Sequence, residues 1–187
     1  MPTPVPPRFP ALATDHLLLR EVALEDARNF RNLLSIPEVV RYTNWPENPD
    51  PDQAVAMMRQ LAKLFGDGEG CAWIVEDRTS YEFIGCIRFN YFITPWKCAG
   101  IGYESLPQYW GRGLMTEAVR AVVACGHKRF DLNRIEAWTL AGNTGSDRVL
   151  EKNGFRFEGI QRQKGWFKDV FHDFRFFARI AGDPVSV

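Results

Sequence analysis

Neither sign of charge prevails in this sequence. Lys plus Arg number 23 and Asp plus Glu number 23, so the formal net charge is zero. A chain with no basic surplus and no basic stripe has no field to gather nucleic acid or an anionic membrane surface. Long apolar runs are missing too: none approaches the ~18 residues of a membrane span. The N-terminal stretch has no basic segment followed by an apolar core, so it does not read as a signal peptide. Cysteine is sparse. Cys71, Cys86, Cys98 and Cys125 form no C-x-x-C pair, and His16, His127 and His172 are scattered. That spacing argues against a metal site, and buried free thiols in a reducing cytoplasm are the expectation. Internal repeats and low-complexity blocks are absent after the first 13 residues.

What is present is the composition of a packed domain. The 187 residues are 45% hydrophobic, 25% charged and 13% aromatic. One domain of this size hides roughly 70% of the surface its unfolded chain exposes. Pro2, Pro4, Pro6, Pro7 and Pro10 crowd residues 1–13, which read as an extended, mobile leader. Residues 14–180 form the domain and 181–187 a tail. Leu17–Glu21 suits a first strand. Leu24, Ala27, Phe30, Leu33 and Leu34 have helical spacing, which Pro37 stops. Asp52 reads as the cap of a helix running to Phe65. Residues 71–76, 82–92 and 98–106 read as consecutive strands. The longest helical stretch runs from Gly111 to Phe130, then a strand from Arg134 to Leu140 and a helix from Asn143 to Asn153. The last strands cover 155–163 and 170–180. Consecutive middle strands predict an antiparallel meander, and the later β-helix-β steps predict parallel pairing. The fold class is therefore α/β: a single mixed, mostly antiparallel sheet flanked by helices.

The stretch that carries chemistry is Ile101-Gly-Tyr-Glu-Ser-Leu-Pro-Gln-Tyr-Trp-Gly-Arg-Gly-Leu-Met-Thr-Glu-Ala118. A strand ends at Leu106, Pro107 breaks it, and Gly111 and Gly113 open the long helix. Glycine admits close backbone approach, and the free N–H groups of a first helical turn favour an anion. The same glycines also suit a plain strand-to-helix turn. Two other phosphate-binding patterns fail: a dinucleotide fingerprint needs a third glycine where Thr116 stands, and no Gly-Lys-Ser/Thr run exists.

Gln108-Tyr-Trp-Gly111-Arg-Gly113 resembles the Q/R-x-x-G-x-G/A signature of the GNAT superfamily of N-acetyltransferases. A second block, Asn143-Thr-Gly-Ser146 through Glu151-Lys152-Asn-Gly154-Phe155, resembles the branch that acetylates ribosomal-protein N-termini. Smaller matches at Thr14–Arg20, Asp26-Ala27, Pro37-Glu38-Val39, Phe83-Ile-Gly85, Glu158-Gly159 and Ala178-Arg179-Ile180 keep the same order. The resemblance implies acetyl-CoA as donor, no metal, and a primary amine as acceptor, either a protein N-terminus or a small molecule. It implies that the backbone around Glu104, Ser105 and Leu106 meets the pantetheine arm. Gln108, Gly111, Arg112, Gly113, Leu114, Met115 and Thr116 would hold the pyrophosphate. Asn143 would bond the pantetheine or the acetyl end, and Ser146 would reprotonate the departing thiolate.

Ser146 also suits an N-cap. Glu104, on the face opposite Tyr103 and Ser105, is the candidate general base, with a salt-bridged strand residue as the alternative. Glu117 reads as a complement to the helix dipole, Tyr42, Trp45, Tyr103 and Trp166 as core or cleft wall, and Tyr109 and Trp110 as packing residues. Where that branch carries a carboxylate after the strand beginning at Phe155, this sequence has Gln163-Lys164-Gly165. The acceptor pocket is expected in the loops 41–50, 94–97 and 165–169. The aromatic residues Phe171, Phe174, Phe176 and Phe177 offer surface for a homodimer. A non-catalytic acyl-CoA-binding module is the competing function.

Overall fold

Strands that alternate apolar side chains build a sheet with two usable faces, and this chain covers both. The computed structural model describes residues 6 and 8–184. Among the described residues eight strands form: β1 (Leu12–Ala13), β2 (Leu17–Glu21), β3 (Cys71–Asp77), β4 (Phe83–Ile93), β5 (Cys98–Ser105), β6 (Arg134–Thr139), β7 (Arg156–Phe167) and β8 (Val170–Ile180). They lie in one sheet in the order β1-β2-β3-β4-β5-β6-β8-β7. The helices are α1 (Ala27–Leu34), α2 (Pro37–Val40), α3 (Pro51–Gly66), α4 (Leu114–Arg129) and α5 (Thr144–Lys152).

On one face Leu19, Trp73, Ile87, Phe89, Ile101 and Ile135 pack beneath α4. On the other, Ala72, Ile74 and Cys86 meet α1 and α3. A strand covered on both faces needs apolar residues without alternation, which accounts for the run from Cys71 to Val75, all buried. All four cysteines are free and buried. Burial pushes the Cys86 thiol up to about 12, and the thiols of Cys98 and Cys125 up to about 11. At neutral pH these are not nucleophiles.

Several expectations change in detail. Residues 9–13 are docked: Phe9 packs on Phe65 and Trp73, the Trp73 indole donates to the Pro10 carbonyl at 2.8 Å, and Leu12–Ala13 pairs with β2. The apolar Phe9 and Leu12 supply a docking energy that the prolines conceal. Of the expected leader, residues 1–5 and 7 lie outside the described residues, as do 185–187 of the tail. Asp50, not Asp52, caps α3: its carboxylate accepts from the Gln53 N–H at 2.8 Å, and Gln53 accepts from the Asp50 N–H at 2.9 Å. Pro51 is the reason, since its fixed φ suits the first helical position. The step β5-α4-β6 is parallel as expected. β6 and β7, however, are not neighbours, because β8 inserts between them antiparallel to both. Phe174 and Phe177 are buried within the chain, which removes half of the aromatic surface assigned to a dimer. β7, an edge strand, is interrupted by irregularities at 157–159 and 161–165, a common guard against edge-to-edge pairing.

Candidate active site

The parallel ladder between β5 and β6 is short. Cys98, Ala99 and Gly100 pair with Arg134, Ile135 and Glu136, and beyond them the strands part. From Ile101 to Glu104 the side of β5 turned towards β6 has no strand partner. A bulge in β4 lies at the same level: Phe89 faces Ile101, Tyr91 faces Gly100, and Asn90 is the extra residue between them. Bulges raise local twist and re-aim side chains, so Asn90 joins the cleft that the parting strands leave. This cleft has a volume of about 300 Å³, and its walls include Tyr42, Asn90, Tyr103, Glu104, Trp138, Asn143 and Ser146. A larger, more open depression of about 450 Å³ lies over β6 and β7. Both of its carboxylates, Glu136 and Glu158, are held by Arg134, so it presents no free carboxylate.

Three of the residues singled out by sequence meet in the cleft: Glu104, Asn143 and Ser146. Asn143 is the N-cap of α5, its side-chain oxygen accepting from the Ser146 N–H at 3.3 Å. Ser146 is therefore not the cap. Its hydroxyl lies 2.8 Å from the Tyr103 hydroxyl across the cleft. The next residue, Asp147, anchors α5: its carboxylate accepts from Thr139 at 2.7 Å and from Arg175 at 3.2 Å.

Glu104 departs from the free carboxylate expected of a general base. Both its oxygens are engaged by Arg88, at 2.6 and 2.9 Å, and the Trp45 indole N–H donates to it at 2.8 Å. The pair is buried, with side-chain exposures of 7% for Arg88 and 4% for Glu104. Burial works against the Arg88 charge, but the Glu104 carboxylate outweighs it and the guanidinium titrates above the ordinary arginine range. Trp45 also lies under that guanidinium, 4.9 Å from ring centroid to carbon. An ionised carboxylate has about four lone-pair positions. Three are used, and one remains to meet an amine or a water.

The second part of the site is the turn before α4. The helix begins at Leu114 rather than Gly111, because Gly111 and Gly113 take φ of 73° and 82°, values a right-handed helix excludes. A Cβ at either glycine would have no atom within 4 Å. The space above the turn is open, and the first N–H groups of α4 have no side-chain cap. Leu114 is buried in the core and Met115 is packed against it, so they can offer only backbone N–H groups. The Thr116 carbonyl accepts from Asn153, while Gln108, exposed, stands beside the turn. Arg112 lies over the Tyr109 ring at 5.5 Å and has no carboxylate partner among the described residues. Glu117 is held by His16, whose main-chain N–H and ring each lie 2.9 Å from one of its oxygens. These features suit a pyrophosphate. Trp110, expected to pack, is half-exposed and donates to the Ser105 carbonyl at 2.9 Å. Leu106 packs towards α1 and α3.

Residues 16–156 match the family model of the acetyltransferase (GNAT) domain. The chain belongs to the GNAT acetyltransferase family. Membership makes this GNAT protein an acetyl-CoA-dependent N-acetyltransferase. The uncharacterized N-acetyltransferase YoaA of Bacillus subtilis strain 168 is 36% identical to it over 155 residues, covering 83% of this chain and 88% of the relative. The ribosomal-protein-serine acetyltransferase of Escherichia coli K12 is 31% identical over 99 residues, 53% of this chain and 55% of the relative. Among solved structures, RimL, described as a ribosomal L7/L12 α-N-protein acetyltransferase in complex with coenzyme A, superposes with a TM-score of 0.83. It is 21% identical over 91% of this chain and 98% of the other.

The sequence pattern did not single out Arg88, Asn90 or Trp138. The signal for Arg88 was available: an arginine amid the apolar run Ile84–Phe89 demands a buried partner. Its strand register, with Arg88 opposite Gly102 and Cys86 opposite Glu104, supplies one diagonally. Of the loops expected to line the acceptor pocket, Tyr42, Thr43 and Asn44 line this cleft. None of residues 165–169 lines it; Lys168 instead bonds the Val40 carbonyl at 2.7 Å and Glu47 at 3.0 Å. Residues 94–97 sit at the opposite, paired end of β5 and are not part of it. Gln163–Gly165 lies in the irregular part of β7, and none of the three lines the cleft.

Gly113→Val is expected to weaken coenzyme A binding at least tenfold, about 1.4 kcal/mol, because valine resists positive φ and fills the open space. Calorimetric titration of the folded variant checks this. Equal affinities would remove the turn from the site.

Proposed function

We propose that this GNAT protein transfers the acetyl group of acetyl-CoA directly to a primary amine in a ternary complex, with no acyl-enzyme intermediate. The observation that carries the reading is the split between β5 and β6, with Glu104 on one wall and Ser146 on the other. The turn Gln108–Thr116 holds the pyrophosphate, the free edge of β5 meets the pantetheine arm, and the Asn143 amide nitrogen, unbonded among the described residues, faces the arm's acyl end. Acetyl-CoA supplies the activated thioester. Glu104 meets the incoming amine and takes its proton directly or through water. Ser146 gives a proton to the departing sulfur. The buried thiols support a cytoplasmic, reducing location.

The acceptor is the α-amine of a protein N-terminus, a reading favoured by the names of the ribosomal-protein relatives. The aromatic walls of Tyr42, Tyr91 and Trp138 leave a slot for an extended chain end. The test is a panel of peptides beginning with Ala or Ser, alongside small amines, assayed with acetyl-CoA for free thiol and acetylated product. Transfer to peptides supports this acceptor, and transfer to small amines alone overturns it. Binding of acetyl-CoA without transfer to any amine would instead favour a binding module.

A further inference from the structure

Ser146 can give its proton to sulfur only if its O–H is not committed to another acceptor. Its hydroxyl oxygen has one hydrogen-bond partner among the described residues, the Tyr103 hydroxyl at 2.8 Å. Each of the two hydroxyls has one proton, so one must donate and the other accept. If Ser146 donated, its single proton would be committed to the phenol oxygen and not free for the sulfur. Tyr103 has a second acceptor within reach, the Ser146 carbonyl, but at the longer distance of 3.3 Å. Burial holds the Tyr103 phenol well above its ordinary range, against the weaker pull of the Ser146 bond. The phenol therefore keeps its proton at working pH and cannot relay it as a tyrosinate. The Ser146 main chain is fixed independently, through its N–H to Asn143.

We infer that Tyr103 is a positioning residue: its phenol donates to the Ser146 hydroxyl oxygen, turns the serine proton towards the coenzyme A sulfur, and stabilises the charge that develops on that oxygen. The bond spans the split itself, from β5 to α5, so it also fixes the distance between the walls. The inference rests on the proposed role of Ser146. In the transfer, the amine nitrogen bonds the acetyl carbon and the C–S bond breaks. Sulfur takes the Ser146 proton, and the serine regains one from solvent, replacing the proton lost by the amine. Tyr103 keeps its own throughout.

The test is a double-mutant cycle of Tyr103→Phe and Ser146→Ala in the full chain, with acetyl-CoA and whichever amine the panel identifies. Tyr103→Phe should lower kcat about tenfold, as loss of one charge-assisted hydrogen bond would, and leave the KM for acetyl-CoA within about twofold. In the Ser146→Ala background the same change should cost almost nothing more, since the two act as one unit. Additive penalties, or a rise in KM with kcat unchanged, overturn the role of Tyr103 while leaving that of Ser146 intact. Unchanged turnover in Ser146→Ala overturns both. A second measurement does not depend on folding of the phenylalanine variant. The Tyr103 ring-carbon signal, read by NMR with labelled tyrosine, should move when Ser146 becomes alanine, and an unmoved signal overturns the bond.

Discussion

Glu104→Gln is expected to lower turnover by roughly 10²-fold or more, the low end of general-base effects. It should also destabilise the fold. An amine acceptor is mostly an ammonium at neutral pH and must lose a proton before it attacks. Glu104 is the carboxylate that lines the cleft. Glutamine keeps the shape but turns an N–H₂ towards Arg88 or Trp45, both donors. Breaking one side of a buried pair strands the other charge, which costs roughly 3–5 kcal/mol. A slow enzyme could then be merely an unfolded one, so two further variants separate the effects. In Arg88→Met the carboxylate remains and its partner goes; with Glu104→Met as well, both charges go, and an apolar pair of similar volume is often neutral for stability. The double variant should recover the wild-type melting temperature to within a few degrees, as a difference of about 1 kcal/mol implies for this size, and yet stay inactive. Near-normal turnover in that folded double variant would make Glu104 an ordinary ion-pair residue.

Ser146→Ala should reduce kcat by about 10²-fold, with little change in acetyl-CoA affinity, because a leaving-group proton matters mainly in the transition state. The geometry sharpens the experiment. Asn143, not Ser146, caps α5, so Asn143→Ala carries the capping cost of about 1 kcal/mol. Ser146→Ala should leave stability within about 0.5 kcal/mol, as for an ordinary partly exposed position. Thermal melts beside steady-state kinetics give both numbers. A stability loss in Ser146→Ala with unchanged turnover would return the residue to a structural role.

Local signals were legible in proportion to how local their causes were. Leu17–Glu21 and Val170–Ile180 are strands with the bounds the residues imply, and Gly154 takes a positive φ just beyond α5 as expected of its position. The start of α4 shifted by three residues. Composition shows that glycine permits an unusual backbone, but not that both glycines adopt it. The helix cap moved from Asp52 to Asp50 because Pro51 sets the first turn. In the final hairpin Lys168 and Asp169 both take positive φ, at 51° and 58°, and Asp tolerates that geometry.

The sequence by itself determined the order of elements, the mixed sheet, the glycine turn at Gly111–Gly113 that opens α4 and the residues Asn143 and Ser146 at the start of α5. Each depends on residues adjacent in the chain, where periodicity, capping and backbone freedom act. Tertiary structure alone decided that β8 would lie between β6 and β7 and that β5 and β6 would part after Gly100. It also turned Glu104 from a free carboxylate into the partner of Arg88 and Trp45, and set Tyr103 against Ser146, 43 residues away. These pairings join segments far apart in the chain, and their energies come from burial. A charge removed from water must find its partner wherever the sheet register brings one within reach. That register is set by the whole core, and no short stretch of sequence contains it.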